Sequence, residues 1–276
     1  MDAAKAVLIT GASTGIGRQV TEYLATRGYF VYAGARRDSD IRALNAIDNV
    51  QAIKLDITSK AEIAQSVDLI GKGTRTLYGL VNNAGVLALG SVVRGSEQEF
   101  GLAMAVNVRG TYEVTRAFAP LIIGQRGRVV FVSSIAGLVA NRNFSPYSVS
   151  KHAIEALADS LALDMDSLGV WVSIVEPGGF NTEIGKNAIE RVGADPLFPD
   201  FSTFRKPDDV VDAIASALLD VKPKRRYLVA PSQEEAQITI RHKIEQLVQL
   251  NEGHRYTYDR NSLIRMLDEA LAQPRS

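Results

Sequence analysis

Tyr147 and Lys151 stand four residues apart in the run SPYSVSK, Ser145 to Lys151. Four residues is close to one helical turn, so on a helix both side chains leave the same face. A phenol beside an ammonium suits proton transfer. Free tyrosine titrates at about 10, too high for an efficient base at neutral pH. A nearby positive charge stabilises the phenolate and lowers that value. Taken alone, the pair reads as a proton-transfer centre or as helix decoration, with Tyr147 a packing aromatic and Lys151 a surface lysine.

The elements around the pair narrow the choice. Seven runs read as strands: Lys5–Thr10, Tyr29–Ala35, Val50–Asp56, Leu77–Gly85, Gly127–Ser134, Gly169–Gly179 and Lys224–Ala230. Most are continuously apolar, which suits a parallel sheet covered on both faces. Helical patterns separate them, so the chain predicts a doubly wound α/β fold, Rossmann-like, in one domain spanning residues 1–276. Two regions break the alternation. Asn181 to Pro207 reads as irregular and carries Phe198, Phe201 and Phe204. Residues 231–276 read as two helices, one with a stripe of Ala236, Ile240, Ile244, Leu247 and Val248, the other of Leu263, Met266, Leu267, Ala270 and Leu271.

The turn TGASTGIG, Thr10 to Gly17, follows the first strand and opens the first helix. Glycines there permit a tight turn and a close ligand approach. The helix start offers free N–H groups to a pyrophosphate. Gly11, Gly15 and Gly17 follow G-x-x-x-G-x-G, a spacing that resembles the short-chain dehydrogenase/reductase family. Further motifs come in that family's order: NNAG at Asn82 to Gly85, NVRG with Asn107, Ser134 thirteen residues before Tyr147, Y-x-x-x-K at Tyr147 and Lys151, and PGGFNT at Pro177 to Thr182. The glycine spacing resembles the simple oxidoreductase branch rather than the extended one.

The resemblance implies roles. Tyr147 would be the general acid/base. Lys151 would lower its pKa and hold the nicotinamide ribose. Ser134 would orient the substrate oxygen, with Ser133 the alternative because neighbours on a strand face opposite sides. Asn107 would hold a water against the lysine, or else bond backbone in a mid-helix bend. Thr182 would help hold the carboxamide. Cofactor contacts are expected from Gly11, Ser13, Thr14, Gly15, Ile16, Gly17, Arg36, Arg37, Asp56, Ile57, Asn83, Ala84, Gly85, Tyr147, Lys151, Pro177, Gly178, Phe180 and Thr182.

The second strand ends AGARRD, with Ala35 where relatives that prefer NAD carry an acid. An acid there would bond the ribose hydroxyls and repel a 2′-phosphate, whereas Arg36 would pair with one. NADP(H) is the expected cofactor, with NAD(H) the alternative. Asp56 resembles the family residue near the adenine amino group, or is a turn residue.

The segment from 181 to 207 is where the family keeps its substrate lid. Its three phenylalanines, with Leu197, Val139 and Phe144, predict an apolar pocket for a hydrophobic ketone, aldehyde or alcohol, or else pack the lid on the core. The expected reaction is interconversion of such a carbonyl and its alcohol. The rivals are an NAD-dependent alcohol or hydroxysteroid dehydrogenase and a non-catalytic NADP-binding sensor. The helix after Tyr147 is apolar nearly all round, which predicts a homodimer or homotetramer through it, or burial under the C-terminal tail.

Composition removes other classes. The chain of 276 residues has no cysteine, so disulfides, thiolate metal sites and a cysteine nucleophile are excluded. His152, His242 and His254 lack metal-ligand spacing. Basic and acidic residues balance at 31 each, and Lys222, Lys224, Arg225 and Arg226 form the one short basic run, so no nucleic-acid footprint is expected. The N-terminus lacks signal-peptide anatomy and no segment reaches membrane-spanning length. A cytoplasmic protein with no membrane partner is expected.

Overall fold

The computed structural model describes residues 5–193 and 198–272. Seven parallel strands alternate with helices in the order β1 (Lys5–Ile9), α1 (Gly15–Thr26), β2 (Phe30–Ala35), α2 (Asp38–Asn45), β3 (Val50–Lys54), α3 (Lys60–Gly71), β4 (Thr76–Asn82), α4 (Glu97–Ala103), α5 (Thr111–Ile123), β5 (Arg128–Val132), α6 (Ser145–Asp166), β6 (Trp171–Pro177), α7 (Glu183–Val192), α8 (Asp208–Leu219), β7 (Arg226–Val229), α9 (Gln233–Leu250) and α10 (Arg260–Ala272). A π-helical turn, Met104–Gly110, joins α4 to α5. All seven expected strands form. Except in β2, which ends at Ala35 as expected, their C-terminal ends leave the sheet one to three residues early, which frees the motif residues there for the loops.

The strand order is β3-β2-β1-β4-β5-β6-β7. The winding reverses between β1 and β4, and such a switch point opens a crevice at the carboxyl ends of the strands. Alternation along β1 serves both faces. Ala6 and Leu8 join one buried cluster with Leu80, Phe131 and Ile174, covered by Val114 and Phe118 of α5 and Ile154 and Ala158 of α6. Val7 and Ile9 join another with Val20 and Leu24 of α1 and Ile214 and Leu218 of α8. Each large side chain fully buried there contributes about 1.5–3 kcal/mol.

Two expectations need correction. The segment beginning at Asn181 is not irregular throughout: α7 occupies ten of its residues. Its signals are local. Thr182 is extended at the cap, Glu183 sits in the first turn and Arg191 in the last, matching the helix dipole. The tail does form two helices, but their stripes do not bury. Ile240, Ile244 and Leu247 are 54%, 55% and 53% exposed, and Leu267 and Leu271 are 59% and 63% exposed. Helix α9 is instead tied down at its start, where Thr239 is buried and the Ser232 hydroxyl accepts the Glu235 N–H. Among the described residues, no helix is long and apolar enough to cross a membrane.

Candidate active site

The turn after β1 and the loop after β4 are stitched together. Thr10 Oγ1 accepts from the Asn83 and Ala84 N–H groups, both at 3.0 Å. The Asn83 side chain donates to the Thr10 and Gly11 carbonyls at 2.9 and 3.1 Å. Gly11 has φ +65°, and a Cβ on it would lie 2.9 Å from Ala84 Cα. A Cβ on Gly17 would run into the Asn83 amide and the Gly11 carbonyl. Bulk is excluded where the loops cross, so the N-terminus of α1 opens onto a cavity of about 490 Å³.

Most of the expected residues line that cavity: Gly11, Ser13, Thr14, Gly15, Ile16, Arg36, Asp56, Ile57, Asn83, Ala84, Gly85, Ser134, Tyr147, Lys151, Pro177, Gly178, Phe180 and Thr182. Three do not. Gly17 packs behind the turn. Arg37 is turned to Asp40, which it grips with two bonds of 2.8 and 3.1 Å. Asp40 at i+3 on α2 is the sequence signal that would have separated Arg37 from Arg36. Asn107 is buried behind the cavity. Asp56 is a turn residue and a cavity residue at once. Its Oδ1 accepts from the Thr58 N–H and hydroxyl at 2.8 and 2.7 Å. Burial works to raise its pKa, but those bonds and nearby Arg36 hold it below the usual range.

Helix α6 brings Tyr147 and Lys151 to the cavity floor beside Ser134, which follows β5. Ser134 Oγ donates to the Pro177 carbonyl at 3.2 Å, accepts from the Ala136 N–H at 3.1 Å and lies in hydrogen-bonding reach of the Tyr147 phenol. The Ser133 hydroxyl is buried without a partner. Ser134, not Ser133, therefore meets the phenol. Lys151 is buried, with Nζ donating to the Val132 carbonyl at 2.8 Å and standing 5.5 Å from the Tyr147 ring centre.

The electrostatics differ from the simple expectation. Burial pushes the Tyr147 phenol up to about 12, against the bond from Ser134. Burial likewise pulls Lys151 down to about 8, against the opposing charge of Glu155. Burial is the larger cause at the phenol; the Lys151 ammonium stands 5.5 Å from its ring centre and gives its hydrogen bond to the Val132 carbonyl.

The Asn107 amide holds the π-turn in place. Its Oδ1 accepts the Val86 N–H at 2.8 Å, and its Nδ2 donates to the Val86 carbonyl and to Ser150 Oγ, each at 2.9 Å. Both amide hydrogens are committed. Such π-turns often mark functional sites.

Sequence reading missed two supports. Arg226 of β7 bonds Glu155 and Glu176 through Nη1 and Asp159 through Nη2. This places a buried charge cluster one helical turn behind Lys151. Glu235 of α9 accepts the Gly179 N–H at 3.2 and 3.3 Å, which ties the C-terminal helix to the loop after β6.

Beside Tyr147 an apolar cluster packs against the cavity. Leu87, Leu89 and Ala188 are buried in it, with Phe144, Tyr147, Ile184, Ile189, Phe198 and Phe201 packed around them; of these, Tyr147 and Ile184 line the cavity. Phe144, Phe198 and Phe201 were expected. Val139 does not join this cluster, and Leu197 lies outside the described residues. Phe204 packs on Phe201, ring centres 5.7 Å apart, and against Gly179, so it supports the wall from behind.

A parallel sheet with a glycine turn at its switch point, and Ser134, Tyr147 and Lys151 at its carboxyl edge, defines the class of dinucleotide-binding α/β oxidoreductases. The family described as short chain dehydrogenase matches residues 5–193, and the chain belongs to it. Mitochondrial D-beta-hydroxybutyrate dehydrogenase of Rattus norvegicus is 36% identical over 200 residues, which is 69% of this chain and 58% of that protein. Retinol dehydrogenase 5 of Mus musculus is 38% identical over 183 residues, 64% of this chain and 57% of that one. The chain thus spans less than two thirds of the length of either relative. A crystal structure of a short-chain dehydrogenase from Streptomyces avermitilis aligns with TM-score 0.78 at 30% identity, covering 91% of this chain and 96% of that one.

Proposed function

We propose that the protein is an NADP(H)-dependent oxidoreductase that interconverts a hydrophobic ketone or aldehyde and its alcohol. The observation that carries this is the convergence of Ser134, Tyr147 and Lys151 on the cavity, with Ser134 after β5, three strands along from β2, whose end carries Arg36. The glycine cradle and the open α1 N-terminus fit a dinucleotide pyrophosphate. Bound there, the reduced nicotinamide supplies the hydride.

The side chains supply the rest. Ser134 turns its one hydroxyl hydrogen from the Pro177 carbonyl to the substrate carbonyl oxygen and holds that oxygen beside Tyr147. A phenol at about 12 stays protonated at neutral pH, so Tyr147 enters reduction as the proton donor. Its O–H bond breaks as the alcohol O–H forms. Lys151, mostly charged below about 8, then faces a newly formed phenolate and stabilises it. In the alcohol-oxidising direction the same groups run backwards, with Tyr147 accepting the alcohol proton.

Arg36 supports the choice of NADP(H). It lines the cavity, Asp40 occupies Arg37, and no acid stands at Ala35. Arg36→Asp is expected to weaken NADPH binding about 10–100-fold, the worth of one charge-assisted bond, while NADH binding changes little. A wild type that binds NADH more tightly than NADPH contradicts the cofactor assignment.

The walls favour an apolar substrate. Among the described residues, the cations lining the cavity are Arg36 and Lys151, and Lys151 is engaged by Val132. A small hydroxy acid, as in the name of the hydroxybutyrate relative, would find no other cation for its carboxylate. A bulky hydrophobic alcohol, as in the retinol relative, would meet Val86, Leu102, Val106 and Ile184 of the lining. We further propose a homodimer or homotetramer through α6 in the cytoplasm. Leu163 of α6 is 81% exposed, so the tail does not cover that face. A strict monomer by light scattering contradicts the assembly.

A further inference from the structure

One side of the cavity is bounded by two separate pieces of chain. One is the loop after β4, whose Gly85 and Val86 line it, with Leu87 and Leu89 buried behind them. The other is α7, whose Ile184 and Asn187 line it, with Ala188 packed against those leucines. Apolar contact alone lets two such walls slide or part. Here one ion pair joins them. Arg191, in the last turn of α7, grips Glu99 of α4 with Nε at 2.5 Å and Nη2 at 2.8 Å. The same Nη2 donates to the Leu87 carbonyl at 2.6 Å. Glu99 in turn accepts the Leu89 N–H at 3.3 Å. The pair therefore holds the backbone of both leucines whose side chains face α7.

The pair is also enclosed. The Glu99 side chain is 8% exposed and that of Arg191 30%. The bond to Arg191 holds Glu99 below the usual carboxylate range although burial works the other way. A forked, two-point bond fixes angle as well as distance, which a lysine does not. Helix α7 begins at the cap residue Thr182, which lines the cofactor cavity, and it is latched at its far end by Arg191. It thus runs from the cofactor cavity to a latched far end.

We propose that Arg191 and Glu99 are positioning residues that fix the gap between α7 and the Leu87–Leu89 loop, and so set the size of carbonyl substrate that reaches Tyr147. This rests on the oxidoreductase reading above. Neither residue touches the reacting atoms. Both act through Leu87, Leu89 and α7.

The test uses the full chain and a series of methyl ketones of increasing bulk, with NADPH as reductant. Removing Arg191 alone would strand a buried carboxylate, so the main variant is the double Glu99→Leu/Arg191→Met, which leaves no orphan charge. Its KM for the smallest ketones turned over is expected to rise on the order of tenfold, with kcat and NADPH affinity within about twofold of wild type. Its preference should shift toward bulkier ketones. Arg191→Lys keeps the charge without the fork and should fall between the two. An active wild type whose size profile is unchanged in both variants overturns the latch. So does a parallel loss of kcat and NADPH affinity across the series, which is what a merely structural pair would give. A wild type that consumes no NADPH with any ketone overturns the oxidoreductase reading instead.

Discussion

Tyr147→Phe is expected to lower kcat by about 10²–10⁴-fold, the usual worth of a positioned acid/base. The dissociation constant for NADPH should stay within about twofold. The substitution removes one oxygen and leaves the ring. Tyr147 packs by its ring with Leu87, Phe144 and Phe201, and a phenylalanine keeps that packing. Lys151 keeps its bond to Val132. The variant therefore isolates the proton. Binding is read by fluorescence of the bound dinucleotide and turnover by its consumption. A non-catalytic NADP-binding sensor predicts a different pair of results: no turnover in the wild type and no change in the variant. Near-wild-type turnover in Tyr147→Phe would sink the assigned mechanism.

The second large effect is on stability. Arg226→Met keeps an apolar stem on β7 but removes the charge facing Glu155, Glu176 and Asp159. Glu155 and Glu176 are 7% and 2% exposed, so two buried carboxylates lose their shared partner. Breaking a buried pair costs about 3–5 kcal/mol, and the lower end applies because the Arg226 side chain is 38% exposed. Lys151 remains one turn away and softens the loss. The effect should depend on pH. Burial, with Glu155 adding to it, raises Glu176 from 4.5 to about 7 in the folded chain. The folded state then binds more protons than the unfolded one across that window, so this group's contribution to stability falls as pH rises from 4.5 to about 7. Without Arg226 the fall should be steeper. Denaturant unfolding of both proteins at either end of that window checks it. An unchanged midpoint at both pH values would contradict the role given to the cluster.

The sequence exposed the sheet and the candidate catalytic residues for different reasons. Strands such as KAVLIT and GRVVFVSS are short, apolar and β-branched, which is a local signal. Ser134, Tyr147 and Lys151 stood out because together they match the motif order and spacing of the family the chain resembles. Arg226, Glu155 and Glu176 carry no such signal. Arg226 lies 71 residues from Glu155 and 50 from Glu176, and only the pairing of β6 with β7 and the packing of α6 on β6 bring them together. The Arg191–Glu99 pair, 92 residues apart, was invisible for the same reason. Helix α7 was hidden by the aromatic and proline-rich run that follows it, although Thr182, Glu183 and Arg191 gave ordinary boundary signals. The stripes on α9 and α10 show the opposite limit. Periodicity showed that they are helices and could not show what, if anything, lies against their apolar faces. Tyr147 itself was legible as to place and not as to charge. Its neighbour's ammonium was visible in the sequence, but the burial that outweighs it was not.

The central claim is hydride transfer to a carbonyl carbon beside Tyr147. The most direct measurement uses NADPH deuterated at the nicotinamide position that gives up its hydride. It is incubated with the wild-type protein and a hydrophobic ketone found by NADPH consumption. The account predicts an alcohol carrying deuterium on its carbinol carbon and a hydrogen from solvent on its oxygen. An alcohol without carbon-bound deuterium, or no NADPH consumption with any carbonyl across a series graded in size and polarity, would contradict it.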